Sequence, residues 1–188
     1  MTWIESISRE KATGHLKRLY QTYQRPNRTI ANIFRAHSLR PHTLEGHTAL
    51  YRAVLGHADN ELPLWYLEAV GLYVSVLNQC SYCIDHHSHA GGLAHPGEAE
   101  AWATITNALL TDRIDDVFKG KELALLTYAR NLTLDPASLT TTSIDALRAA
   151  SASDSEILEV NQVASYFAYA NRVVLGLGVT LDGEVRAN

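Results

Sequence analysis

The amino-acid sequence predicts an all-α protein, a bundle of helices joined by short loops. Three observations carry this expectation. Apolar residues recur at helical spacing, as in Leu16, Leu19, Tyr20 and Tyr23. The Val/Ile/Thr alternation that lines a half-buried strand is scarce. Proline opens helical segments and glycine closes them, which is the ordinary asymmetry of helix ends.

The elements follow in order. Residues 8 to about 24 form a charged amphipathic segment, and RPNRTIANIF then gives a loop and a short helix. Pro41 opens the helix HTLEGHTALYRAVL, which ends at Gly56. Pro63 opens LWYLEAVGLYVSVLN, which is apolar almost all round and therefore reads as the central buried helix. Beyond Gly91 and Gly92, Pro96 starts GEAEAWATITNALL, and further helices are expected over 121–132 and about 143–150. The last long helix begins at SDSE (153–156), which fits a capping box, and stops at Gly176. No linker or low-complexity segment divides the chain, so residues 1–188 read as a single domain with a core over about 41–112. A weak echo aligns residues 66–80 with 157–171, Glu68 falling on Glu159, and marks a second half-repeat over about 153–178.

The 188 residues are enough for one domain with its own core. Hydrophobic residues make up 46% and charged residues 19%, an ordinary globular balance. The net charge is -4 and no Lys/Arg-rich run occurs, so nucleic acid and anionic membranes are not expected partners. The N-terminal segment has no apolar signal core, and no apolar run approaches the ~20 residues of a membrane span. The expectation is a cytoplasmic protein whose cysteines rest as thiols.

NQCSYCIDHHSHAGG (78–92) holds both cysteines of the chain and three of its histidines. If a helix begins at 78–80, its period decides which side chains meet. Cys80 and Cys83 are i and i+3, and His87 is i+4 from Cys83 and i+7 from Cys80, so the three share a face. His86 and His89 are expected to cap or to face solvent. Glu68 precedes Cys80 by twelve residues, about 18 Å along one straight helix. A chain reversal at LNQ (77–79) instead brings Glu68 within roughly 3 Å of level with His87. A carboxylate on that apolar helix is costly unless paired, and a histidine is a fitting partner. Carboxylate, imidazole and thiol in that order are the parts of an activated cysteine nucleophile. A helix N-terminus at Cys80 further favours a thiolate. Helix position favours Cys80 as the attacking group, whereas i,i+4 proximity to His87 favours Cys83; the choice stays open.

Duller readings stand beside this one. CxxC also occurs as small buried filler, and Cys80, Cys83, His87 and Glu68 are a conceivable zinc set. No second cysteine pair and no HxxxE or HExxH pattern accompanies them, so neither metal nor cofactor is expected. His37, His42 and His47, spaced by five, share no helix face and read as ordinary. Tyr51, Trp65, Tyr66, Tyr73 and Trp102 read as core or subunit contacts.

Glu68, eleven residues, Cys80-Ser81-Tyr82-Cys83, three residues and His87 resemble the signature of the AhpD-like (alkylhydroperoxidase D) proteins of the carboxymuconolactone decarboxylase superfamily. The flanking NIFRAHSLRPHTLEGHTALYRAVLG and EILEVNQVASYFAYANRVVLGLGV resemble its peroxidase-related subgroup, so the likeness spans about residues 29–180. The resemblance implies an AhpD-like helical bundle with a central CxxC-bearing hairpin, assembled as a trimer or hexamer. It implies a thiol peroxidase without metal or haem. Cys80 and Cys83 would reduce a hydroperoxide and close to a disulfide, His87 would relay a proton between Glu68 and a cysteine, and an external dithiol would reset the pair. AhpD itself has a histidine where this chain has Tyr82, and its reductant is a lipoyl-bearing protein. Two other classes remain: a lyase like the cysteine-free decarboxylases of the superfamily, and a non-enzymatic redox or zinc-binding protein.

Overall fold

The structure is a computed structural model that describes residues 2–27 and 29–184. These residues form ten α-helices and one short 3-10 turn, with no strand among them. The helices are α1 (Gly14–Tyr23), α2 (Asn32–Ala36), α3 (Pro41–Gly56), α4 (Leu64–Leu77) and α5 (Ser81–Ala94). They continue with α6 (Ala99–Leu110), α7 (Ile114–Val117), α8 (Gly120–Leu134), α9 (Thr141–Ala149) and α10 (Asp154–Gly176), with the 3-10 turn Pro136–Ser138 before α9. None is long and apolar enough to cross a membrane, among the described residues. The chain groups into two compact units, residues 52–171 and the remainder.

In the unit 52–171, α4 is the centre. Every residue from Tyr66 to Ser75 is buried, as expected of a helix apolar on all sides. It packs most extensively on α5, and also on α6 and α8. The polar exceptions on α4 are handled locally. Ser75 returns its hydroxyl to the Gly71 carbonyl at 2.8 Å, and Glu68 finds a partner described below.

The reversal between α4 and α5 falls where LNQ predicts it. Gln79 adopts a left-handed φ of 57°. Its N–H donates to Val76 O at 2.9 Å, and the Cys80 N–H reaches back to Ser75 O at 2.9 Å. This pair of bonds is a Schellman motif, built without the glycine that usually occupies the left-handed position. Asp112 after α6 and Ser151 after α9 are likewise left-handed and non-glycine.

Other sequence expectations meet the structure at particular residues. α3 runs from Pro41 to Gly56 as expected. The capping box of α10 is present: Ser153 Oγ accepts the Glu156 N–H at 3.1 Å, and Glu156 accepts the Ser153 N–H at 2.9 Å. Gly91 and Gly92 do not break α5. A Cβ on Gly91 would lie 2.2 Å from the Trp102 ring, and the Trp102 indole N–H donates to Ser88 O at 2.7 Å. The glycines are thus a seat for a tryptophan. The helices expected over 121–132 and 143–150 are α8 and α9. α7 and the 3-10 turn are too short to leave a periodic signal.

The second unit holds α1, α2 and a small core of Ala12, Leu16, Leu19, Tyr20, Ile30 and Leu44. The expected 8–24 helix starts only at Gly14, because residues 8–12 form turns. Glu184 accepts from Arg25 at 2.6 Å and from the Asn32 N–H at 2.9 Å.

Candidate functional site

Cys80 is the cap residue of α5 and Cys83 lies in its first turn. Both side chains are buried, Cys80 fully. Their sulfurs are 2.7 Å apart, about 0.65 Å beyond a disulfide bond length. Both are thiols.

The two thiols are not equivalent. The Cys80 thiol is pushed below its ordinary value, chiefly by its hydrogen bond with the Cys83 thiol, with help from the Cys83 backbone N–H and against the cost of burial. The Cys83 thiol is pushed well above its ordinary value, first by its hydrogen bond to Cys80, then by burial and by the Cys80 charge. Of the two, Cys80 is therefore the more acidic and Cys83 the one that holds its proton more tightly. Two sulfurs this close do not both ionise, by the same repulsion that splits paired carboxylates.

Glu68 meets His87 across the α4–α5 hairpin, with Oε2 2.6 Å from Nδ1. The carboxylate is nearly enclosed and the imidazole only 15% exposed. A short contact of this kind holds the ring and directs its Nε2 away from the carboxylate. His87 follows Cys83 by one helical turn, about 6 Å along the axis. The sequence expectation that a reversal at 77–79 brings Glu68 to His87 thus matches the geometry.

Phe167 of α10 packs against the imidazole, ring centroids 4.4 Å apart and nearly perpendicular. The position of Phe167 depends on Gly71: a Cβ there would lie 2.3 Å from two Phe167 ring atoms. Asn171, one turn further along α10, is buried at 1% exposure. Its amide nitrogen lies 3.1 Å from Ser75 Oγ, and its oxygen accepts from Asn78 at 3.0 Å. Sequence reasoning singled out none of Gly71, Ser75, Phe167 or Asn171. The one available signal was the internal echo, in which Asn171 falls opposite Cys80. The echo carries no second site: Glu159, the counterpart of Glu68, accepts the backbone N–H groups of Glu61 and Leu62 at 2.7 and 2.9 Å.

Of the other histidines, His89 is exposed as expected. His86 is half-buried with its ring 4.5 Å from that of Tyr82. His37 and His47 are both buried, with rings 5.0 Å apart. The expectation that these two are unrelated assumed one helix; His37 instead precedes α3, and the intervening turn lays it over His47. Tyr66, Tyr73 and Trp102 are core residues, as expected. Among the described residues, no group of three or more His, Cys, Asp or Glu side chains converges to hold a metal ion.

No protein-family model and no curated protein matches the chain. Its fold, however, is that of several solved structures. It is similar to the alkylhydroperoxidase AhpD core of a peroxidase-related protein from Ralstonia eutropha JMP134 (TM-score 0.81, 16% identity, covering 99% of this chain and 98% of that one). A peroxidase-related protein from Silicibacter sp. TM1040 gives a TM-score of 0.76 at 18% identity, over 95% of this chain and 87% of that one. The debrominase Bmp8 in complex with 2,3,4-tribromopyrrole gives 0.75 at 17% identity, over 97% and 93%. The chain has the AhpD-like, peroxidase-related fold, with its cysteine pair at the start of a helix.

Proposed function

We propose that this chain, built on the AhpD-like fold, is a thiol-dependent hydroperoxide reductase. The observation that carries the reading is the buried Cys80–Cys83 pair at 2.7 Å, one helical turn from an imidazole held by a carboxylate. The acidity difference within the pair favours Cys80 as the attacking group. The Cys80 thiolate attacks the distal oxygen of ROOH; the O–O bond breaks and leaves a sulfenic acid on Cys80. The alkoxide takes a proton from His87, which Glu68 keeps oriented and stabilises when charged. Cys83 then displaces hydroxide from the sulfenic sulfur, giving the disulfide and, after protonation, water. An external dithiol restores both thiols by exchange.

The scaffold also supports a second electrophile, because one solved structure of this fold is a debrominase. A dithiol delivers the same two electrons to a C–Br bond, giving C–H, bromide and the disulfide. A homo-oligomer of three or six subunits goes with either reading, and exposed Leu93, Leu110, Leu134 and Leu158 supply apolar surface for it.

The test is intact mass after thiol alkylation, before and after one equivalent of an organic hydroperoxide, with metal content read in parallel and a bromopyrrole arm alongside. Loss of both alkylation sites in metal-free protein with hydroperoxide supports the reductase. Loss only with the bromopyrrole, with bromide released, moves the chain to dehalogenation. Thiols that stay alkylatable in both arms, or are masked by stoichiometric zinc, defeat the redox reading. An activity that survives replacement of both cysteines by serine points to a lyase.

A further inference from the structure

Cys80 and Cys83 are held by different parts of the chain. Cys83 lies inside α5 and is placed by that helix. Cys80 is only its cap residue, with a non-helical φ of -90° and ψ of 86°, so its place is set by the turn before it. The Cys80 N–H donates to Ser75 O at 2.9 Å, and the Asn78 N–H to Val74 O at 3.0 Å. The turn then passes through Gln79, left-handed at φ 57°, a conformation that costs a non-glycine residue free energy. One side chain of α10 spans this turn. The Ser75 hydroxyl donates its proton to Gly71 O at 2.8 Å, so toward Asn171 it can only accept. Asn171 therefore faces Ser75 with its amide NH2 group, at 3.1 Å. Its amide oxygen is then turned to the side-chain nitrogen of Asn78, which donates at 3.0 Å. Asn171 is 1% exposed and Ser75 fully buried, so the Ser75 end of this bridge is closed to water.

We propose that Asn171 is a positioning residue of the redox pair: by bridging Ser75 and Asn78 it locks the turn that presents Cys80 to Cys83. In this role it acts through the backbone of the turn. One contact fixes the residue whose carbonyl holds the Cys80 N–H, and the other fixes the residue two before Cys80. With both points tied to α10, Cys80 has little freedom left to lose when its sulfur joins that of Cys83. Bond formation costs less between groups that are already oriented, and the gain is measured as a high effective concentration of one thiol at the other. The inference takes from the reading above only that the two cysteines cycle between dithiol and disulfide. It does not depend on which oxidant drives the cycle. With glutathione disulfide the step is an exchange. Cys80 and Cys83 give up two electrons and two protons, one S–S bond forms in the protein and one breaks in glutathione disulfide, and two glutathione thiols result. Without the bridge Cys80 ranges further from Cys83, and the dithiol and the mixed disulfide with glutathione gain at the expense of closure.

The test equilibrates the full chain with glutathione and glutathione disulfide at a series of ratios, approached from both oxidation states. Alkylatable thiols and glutathione adducts are read by intact mass. Asn171→Ala is expected to lower the equilibrium constant for closure about ten-fold, the order set by losing two hydrogen bonds that favour the closed pair. For this two-electron couple that is a potential less reducing by about 30 mV. Ser75→Ala keeps the Asn78 half of the bridge and should lower the constant about three-fold. Combining it with Asn171→Ala should add little, because both changes remove the same contact. Val160→Ala, a buried change about three turns earlier on α10, loosens the helix without touching the turn and should leave the constant unchanged. A folded Asn171→Ala with the wild-type constant overturns the proposal, as does an equal shift from Val160→Ala. If Asn171→Ala does not fold, Ser75→Ala and Asn78→Ala decide, and wild-type constants in both overturn it. A pair that closes at no glutathione ratio overturns it too. If hydroperoxide leaves both thiols alkylatable, the reductase reading fails, and the glutathione equilibrium still decides the role of Asn171.

Discussion

Replacing Gly71 with alanine tests how α10 controls the imidazole. The new Cβ would sit 2.3 Å from two Phe167 ring atoms and 2.9 Å from a third. Carbon atoms in contact settle at about 3.5 Å or more, so the ring must retreat by roughly 1.2 Å. It has little room to do so, because Phe167 is fully buried and its ring stands against His87 on one side and Tyr166 on another. Overpacking of this kind costs about 1–3 kcal/mol. Alanine returns up to about 1 kcal/mol through its better helix propensity. The expected net change is a destabilisation of roughly 1–2 kcal/mol, or about 2–8 °C in Tm for a chain of this size. The ring shift moves the surface on which His87 rests, and a displacement of about 1 Å at a reacting group can cost up to ~100-fold in rate. The assay pairs thermal unfolding with the rate at which hydroperoxide removes alkylatable thiols. Phe167→Leu in the Gly71→Ala background should recover stability, and the cycle isolates the coupling between the two sites. A single Gly71→Ala variant with raised Tm and an unchanged oxidation rate would refute the reasoning, since it would mean Phe167 yields freely and does not brace His87.

Three further outcomes are expected. Glu68→Gln keeps the size of the side chain and removes its charge, so peroxide oxidation of the thiols should slow by about 100-fold or more; a change under about three-fold would remove Glu68 from the chemistry. Gln79→Gly relieves a left-handed φ of 57° and should add about 1 kcal/mol of stability, read as a higher Tm with unchanged oxidation kinetics; a lower Tm would count against the strain. His47 has its pKa lowered by burial and by His37, from 6.5 to about 3. The unfolded chain therefore binds a proton below about pH 6.5 that the folded chain refuses. Stability is full well above that pH and is lost as pH falls toward 3, by roughly 2 kcal/mol between pH 6.5 and 4.5. His47→Leu should flatten this dependence of Tm on pH, leaving the smaller slope that His37 contributes in the same sense; an unaltered slope would show that His47 is not the group responsible.

The sequence by itself determined the helical class, the buried character of α4, the pairing of Cys80 with Cys83 and the meeting of Glu68 with His87. All are local facts: helical periodicity places residues three, four and seven apart on one face, and one reversal of known position brings two adjacent helices together. Even that reversal was legible only as a place, because Gln79 takes a left-handed conformation that the sequence would assign to glycine. What the tertiary structure alone decided is the remainder of the site. Asn78 and Asn171 are 93 residues apart, and no periodicity links them. Phe167 and Gly71 match as a bulge and a gap, a complementarity of shape that exists only once α10 is docked on α4. The choice between the two thiols also belongs to the folded state. In the sequence Cys80 and Cys83 each had an argument for the charge. In the structure their 2.7 Å separation opposes ionising both, and the hydrogen bond between them makes Cys80 the more acidic and Cys83 the less. Short-range spacing names the candidate atoms, and long-range packing sets what surrounds them.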